Sequence, residues 1–315
     1  MTYHVDAGTV RRAEAAVRPR VKRTRLVRSA WLSSLHGGEV LLKCEQEQVT
    51  GSFKVRGAVA KVAAAKPDRV AAASAGNHGL GLAWAAREAG IPCTIFVPRT
   101  LPRVKEEKIV ALGARLIKAP FDTYDPTQEY AKSRLDGALW VSPFDDPDVI
   151  AGNGGTTANE IIEDAKGPVD AIVVPCGGGG LAIGAGVVAG DVTRVIGVNS
   201  EASPGMWLSR RDGKARLSVD SKPTIAEGIE GGVSEATYAL GREFIDDIVL
   251  VTEEAIERAV AETSRREGMT IEGSAAAAVA AVVEGRIPRG GRVVVILTGG
   301  NIDPERVEAL LRKYA

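Results

Sequence analysis

The chain has 315 residues, 40 of them basic and 40 acidic, with an average apolar share, so it is long enough for two domains or one large one around a sizeable core. A formal net charge of zero leaves no electrostatic footprint for nucleic acid or an anionic membrane surface. Cys44, Cys93 and Cys176 lie far apart, in or beside apolar runs and without metal-ligand spacing, and read as buried free thiols in a reducing compartment.

The start, Met1 to Asp6, lacks the basic and apolar parts of a secretion signal, and no apolar stretch reaches the length of a membrane span; the expected location is the cytoplasm. Along the chain, strands are expected at 40–44, 70–73, 92–97, 115–118 and 139–142, with helices at 52–65, 77–89, 102–112 and 126–134. After a loop rich in proline and aspartate at 143–147, strands follow near 170–174, 194–199 and 292–297, and the alanine-rich run 275–281 reads as a tightly packed buried helix. Apolar runs alternating with helical patterns give an α/β fold with parallel sheets flanked by helices.

The strand at 171–176 leads into Gly177, Gly178, Gly179 and Gly180, and a helix-compatible segment opens at Leu181. Consecutive residues without Cβ let several backbone N–H groups converge on an anion, with the positive end of the helix dipole behind them. Sugar phosphates, nucleotides and phosphorylated cofactors all fit such a turn.

Three further segments narrow the choice: Thr50-Gly51-Ser52-Phe53-Lys54-Val55-Arg56-Gly57-Ala58, Ser74-Ala75-Gly76-Asn77-His78-Gly79 and Leu297-Thr298-Gly299-Gly300-Asn301. With the tetraglycine loop, in this order from about Lys43 to Asp303, the chain resembles the threonine/serine dehydratase branch of the fold-type II pyridoxal phosphate enzymes, a family that also holds serine racemase. The resemblance implies a tryptophan synthase β-like fold of two open, mostly parallel sheets. It also implies a small domain at 69–143 inserted into a larger one made of 1–68 and 144–315, with pyridoxal phosphate in the cleft between them.

It further implies roles for single residues. Lys54 forms an imine with the cofactor aldehyde, a task that suits an amine whose pKa is lowered by burial or a nearby cation; a lysine on a helix is otherwise usually a surface charge. Phe53 packs at the pyridine ring, although phenylalanine most often is ordinary core. Asn77 matches the asparagine that hydrogen-bonds the 3′ oxygen, and also suits a helix cap. Gly177 to Gly180, with Leu181, hold the phosphate. Ser52, Ser74, Ala75, Gly76 and His78 lie at the substrate, its carboxylate met by backbone amides and a hydroxyl, with His78 a structural neighbour and not a base. Thr298 faces the pyridine nitrogen, which a neutral hydroxyl does not hold protonated, so elimination suits the site better than transamination; a strand-end threonine before a glycine turn is its plain reading. Glu272 matches a glutamate on the same side of the ring.

The implied reaction is dehydration of a small hydroxy-amino acid such as threonine or serine. The freed Lys54 takes the Cα proton, the β-hydroxyl leaves as water, and a 2-oxo acid and ammonia follow. Serine racemase carries a serine where this chain has Ala75, whose methyl group cannot exchange a proton, so racemisation is disfavoured. Asn199 stands in place of a metal-ligating glutamate and the next acidic ligand falls at Gly205, so no family-type metal site is expected. Asn153, where glutamine is usual, and Glu227, in place of aspartate, belong to loops expected along the substrate region. The end at Ala315 is expected to leave no room for a C-terminal regulatory domain. Homodimers are common in the family. A related lyase, racemase or β-replacement enzyme, and a non-catalytic nucleotide-binding protein, remain the other readings; Lys54 speaks against the last.

Overall fold

The computed structural model describes residues 3–101 and 103–315; Met1, Thr2 and Pro102, the first residue of the helix expected at 102–112, lie outside the described residues. The first half runs α1 (Ala7–Val17), β1 (Leu26–Arg28), α2 (Ala30–His36), β2 (Glu39–Lys43), α3 (Lys54–Ala65), β3 (Val70–Ala73), α4 (Asn77–Ala89), β4 (Cys93–Val97), α5 (Arg103–Ala111), β5 (Arg115–Lys118), α6 (Tyr124–Lys132) and β6 (Leu139–Trp140). The second half runs α7 (Pro147–Ile150), α8 (Thr156–Ala165), β7 (Ala171–Pro175), α9 (Gly180–Ala189), β8 (Arg194–Ser200), α10 (Gly205–Asp212), α11 (Glu235–Phe244), β9 (Asp247–Val251), α12 (Glu253–Glu267), α13 (Gly273–Val283), β10 (Arg292–Ile296) and α14 (Pro304–Lys313).

The strands form two sheets, one in the order β1-β2-β10-β7-β8-β9 and one in the order β5-β4-β3-β6. Every pairing is parallel except that of β1 with β2, where Leu26 faces Lys43. Parallel strands need crossovers, and the helices that supply them cover both faces.

Side-chain alternation sorts the core. Val70 and Ala72 of β3, Ile172 and Val174 of β7, and Val294 and Ile296 of β10 enter one apolar cluster shared by the two sheets and filled by α1, α3, α4 and α9. Their neighbours Ala171, Val173, Val293 and Val295 point the opposite way into a second cluster with the alanines of α13. Ala71 and Ala73 pack with Phe96 and Ala131 of α6 on the outer face of the smaller sheet. The period of two along each strand thus places one core between the sheets and one outside each.

Element boundaries differ from expectation at points that bear on function. The helix expected from Ser52 begins at Lys54, because Ser52 forms an antiparallel bridge with Gly299 and the Phe53 N–H donates to the Thr298 carbonyl at 3.1 Å. The loop containing Asn153 is a buried π-helical turn, Ala151–Gly155. Expected along the substrate region, Asn153 instead accepts the Gly57 N–H at 2.8 Å, packed on α3.

Beneath α3 lies a set of buried charges. Arg56 donates to Glu45 (Nε to Oε2, 2.8 Å) and to Glu160 (Nη1 to Oε1, 2.9 Å), and the Lys43 Nζ joins Glu160 at 2.6 Å. All four are buried, with Lys43, Arg56 and Glu45 fully so. Two positive and two negative groups balance, which is the condition under which buried charges are tolerated.

Candidate active site

Three backbone segments meet at Gly299. Residues 50–54 run antiparallel to 298–301, with the Gly300 N–H donating to the Gly51 carbonyl at 2.9 Å, and the Glu272 N–H donates to the Gly299 carbonyl at 3.0 Å. A Cβ on Gly299 would lie 2.6 Å from the Glu272 Oε1 and 3.1 Å from the Ser52 Cβ, so glycine is required for this convergence.

At the head of α3, the Lys54 Nζ donates to the Pro143 carbonyl at 2.9 Å and lies 5.2 Å from the centroid of the Phe53 ring. Burial lowers its amine to about 8, against the opposing pull of Glu272. Desolvation disfavours the charged ammonium, which leaves a larger share of the nucleophilic neutral form near neutrality. Burial likewise lifts the Glu272 carboxyl to about 7, with the Asn77 hydrogen bond acting the other way.

Asn77 opens α4 and donates through Nδ2 to Glu272 Oε1 at 2.7 Å. In the preceding loop, the Gly76 N–H donates to the Ser74 Oγ at 3.2 Å, and Ala75 and Gly76 are half-buried. His78 is buried, with Nε2 at 2.9 Å from the Val141 carbonyl, and burial followed by the nearby Lys54 pushes its imidazole down to about 3. It is neutral at any physiological pH.

The tetraglycine loop joins β7 to α9. A Cβ on Gly178 would overlap the Phe144 ring, one on Gly180 would lie 2.8 Å from the Phe144 carbonyl oxygen, and Gly179 has φ +93°. Phe144 follows Pro143, the acceptor of Lys54, so two consecutive residues join the lysine to the glycine loop. Gly178 and Gly180 therefore allow close packing against Phe144. Leu181 places its side chain in the core.

Thr298 Oγ1 and Ser52 Oγ, like Thr50 Oγ1 on the same strand pair, are buried with no hydrogen-bond partner among the described residues. Buried hydroxyls are nearly always bonded, and all three lie on the strand pair that carries Lys54. The predicted Ser52, Phe53, Lys54, Asn77, Glu272 and Thr298 thus share one contact network, with the glycines joined to it through residues 143–144. Asn301, Pro143 and Phe144 join this network without a role expected from the sequence. Asn301 stood inside a recognised motif, whereas Pro143 contributes a backbone carbonyl, which side-chain pattern does not encode.

Asn199, at the position compared with a metal-ligating glutamate, uses both ends of its amide: Nδ2 donates to the Cys176 carbonyl and Oδ1 accepts the Trp207 N–H at 2.9 Å.

The raised Glu272 carboxyl has a testable sign. Between about 4.5 and about 7 the folded chain binds a proton that the unfolded chain has released, so stability falls as pH rises through that window. Glu272→Gln is expected to remove this decline, as followed by urea unfolding of cofactor-stripped protein across a pH series; an unchanged slope would mean that Glu272 titrates normally.

The sequence pattern of the family described as "Pyridoxal-phosphate dependent enzyme" matches residues 17–299. An L-threonine ammonia-lyase from Thermotoga maritima is 40% identical over 314 residues, covering 96% of this chain and 77% of that one. A catabolic L-threonine dehydratase from Staphylococcus aureus is 37% identical over 324 residues, covering 98% and 92%. Among solved structures, maize serine racemase superposes with a TM-score of 0.91 at 28% identity, covering 99% of this chain and 98% of that one.

Proposed function

The chain belongs to the fold-type II pyridoxal-phosphate-dependent enzymes, and on that premise we propose that it is an ammonia-lyase converting L-threonine, or the smaller L-serine, to a 2-oxo acid and ammonia. The observation that carries this reading is the half-buried Lys54 amine, lowered to about 8 and bonded to the Pro143 carbonyl, next to Phe144 on the tetraglycine loop and to Phe53 on the strand of Thr298. The site fits the cofactor on its own terms: an unpartnered buried hydroxyl at Thr298 suits a ring nitrogen, and bare amides at the head of α9 suit a phosphate.

In this reading Lys54 carries the cofactor, Gly177 to Gly180 with the Leu181 backbone hold its phosphate, Thr298 meets its ring nitrogen, Phe53 packs at its ring and Asn77 donates to its 3′ oxygen. When bound, pyridoxal phosphate supplies an electron sink that acidifies the Cα–H of an attached amino acid. Lys54, neutral over a useful fraction near its lowered pKa, takes the Cα proton. Glu272, lifted to about 7, can hold or release a proton near neutrality. Ser74, Ala75, Gly76 and Ser52 receive the substrate carboxylate, and buried His78 fixes the wall behind them. Residues 69–143 are read as the small domain, supported by β3 to β6 pairing with one another among the described residues. A cytoplasmic location, supported by three buried free cysteines, and the homodimeric state common in the family complete the reading. No described helix is long and apolar enough to cross a membrane.

The test is release of 2-oxobutanoate from L-threonine, or pyruvate from L-serine, by purified protein bearing the yellow cofactor. No 2-oxo acid from either would overturn the lyase.

The second reading, a racemase, is favoured by the fold of maize serine racemase and opposed by Ala75. Ala75→Ser restores a hydroxyl on the face opposite Lys54 and is expected to yield detectable D-serine beside pyruvate, measured by chiral chromatography. Substantial D-serine from the unaltered chain would mean that another group carries the second proton.

A further inference from the structure

Asn301 ends the motif 297–301 but has no place in the chemistry above. Its Nδ2 donates twice, to the Thr50 carbonyl at 2.9 Å and to the Asn77 Oδ1 at 2.7 Å. A backbone carbonyl only accepts, so Thr50 fixes which end of the Asn301 amide faces it. Asn301 then meets Asn77 as a donor, which sets the Asn77 oxygen toward Asn301 and its nitrogen toward Glu272, where one N–H reaches Oε1 at 2.7 Å. An amide nitrogen carries two N–H groups, so a second donor diverges from the first in the amide plane.

This order matters because Glu272 changes charge near neutrality. An ionised carboxylate only accepts, but a protonated one can also donate. Left to itself, Asn77 could turn over and accept from the protonated acid, losing its donor. Asn301 removes that option.

We propose that Asn301 is a positioning residue: anchored on the Thr50 carbonyl, it holds the Asn77 amide in the one orientation that offers N–H groups to Glu272 and to the 3′ oxygen of the cofactor, whichever charge Glu272 carries. The role toward the 3′ oxygen rests on the proposed function; the order Thr50, Asn301, Asn77, Glu272 stands without it. The other charged groups acting on Glu272 are Lys54 of α3, Lys105 of α5 and Glu227. Glu227 is paired with Lys105 at 3.3 Å and with Arg306 of α14 at 3.7 Å.

The test is a cycle of Asn301→Ala, Asn77→Ala and the double variant in the full chain, with and without added pyridoxal phosphate. Two midpoints are followed: that of the Glu272 carboxyl, by carbon NMR of glutamate-labelled protein assigned with Glu272→Gln, and that of the bound cofactor's visible band. Asn301→Ala is expected to raise the Glu272 midpoint by about half a unit to one unit, shift the visible band's midpoint by about one unit and weaken cofactor retention about tenfold. It should add less than about twofold once Asn77 is alanine, since its effect passes through that residue. Asn301→Leu, of similar volume, serves if the alanine variant unfolds. An unmoved Glu272 midpoint, or an equal effect of Asn301→Ala in the absence of Asn77, overturns the inference. A shifted Glu272 midpoint in a chain that binds no pyridoxal phosphate would support the order of amides while overturning the proposed function and the role toward the 3′ oxygen.

Discussion

Lys54→Ala is expected to fold as the unaltered chain does, to bind pyridoxal phosphate without a covalent link, and to lose 2-oxo acid release by on the order of 10³-fold or more, since nucleophile and general base are removed together. The fold should survive because the side chain lost is a half-buried amine with its desolvation cost, and the Pro143 carbonyl gives up a single hydrogen bond, a loss of about 1 kcal/mol. Borohydride reduction followed by peptide mapping locates the attachment: the unaltered chain should carry the pyridoxyl group on the peptide containing Lys54, and the variant should carry none. Near-normal turnover by the variant would take Lys54 out of the chemistry.

Arg56→Met should act on stability. Burial alone would raise the Glu45 carboxyl, but Arg56, with Lys43 and the Thr24 hydroxyl, outweighs it and holds the group below its ordinary value. Methionine leaves Glu45 and Glu160 buried with Lys43 as the remaining cation, and breaking such a set by removing one partner costs about 3–5 kcal/mol. For contrast, exposed Arg18 pairs with half-buried Glu14 at 2.9 Å and with exposed Glu163, and a surface ion pair contributes about 0–1 kcal/mol. Urea unfolding of Arg56→Met beside Arg18→Ala measures both. A loss near that of Arg18→Ala would show that the buried set relaxes or admits water.

The alternation of apolar runs and helical patterns was enough to place β2 to β8, β10 and the helices α3 to α6 within a few residues, because each is either long or bounded by glycine and proline. β1 has little signal: Leu26 and Val27 stand between Arg25 and Arg28, and three residues paired antiparallel at a sheet edge carry too little apolar pattern. β9 has an apolar run, Ile248 to Val251, but is not among the strands expected from the sequence. In the site, side chains inside motifs were legible: Lys54, Asn77, Glu272 and Thr298 occupy one network. The Pro143 carbonyl and the fit of Phe144 on Gly178 were not, since both depend on where separate segments meet. The buried charges around Arg56 were hidden for a related reason: four ordinary charged residues from distant parts of the chain become exceptional only once their burial is known.

β10 is the last strand of the chain and fills an interior slot of the larger sheet, between β2 and β7. As the polypeptide leaves the ribosome, β2 and β7 emerge well before their common partner, each with an open row of N–H and C=O groups of the kind that invites association with other chains. Through that interval both edges stay open. The same strand runs directly into Thr298 to Asn301, so its arrival zips the sheet shut and delivers the final wall of the site in one event.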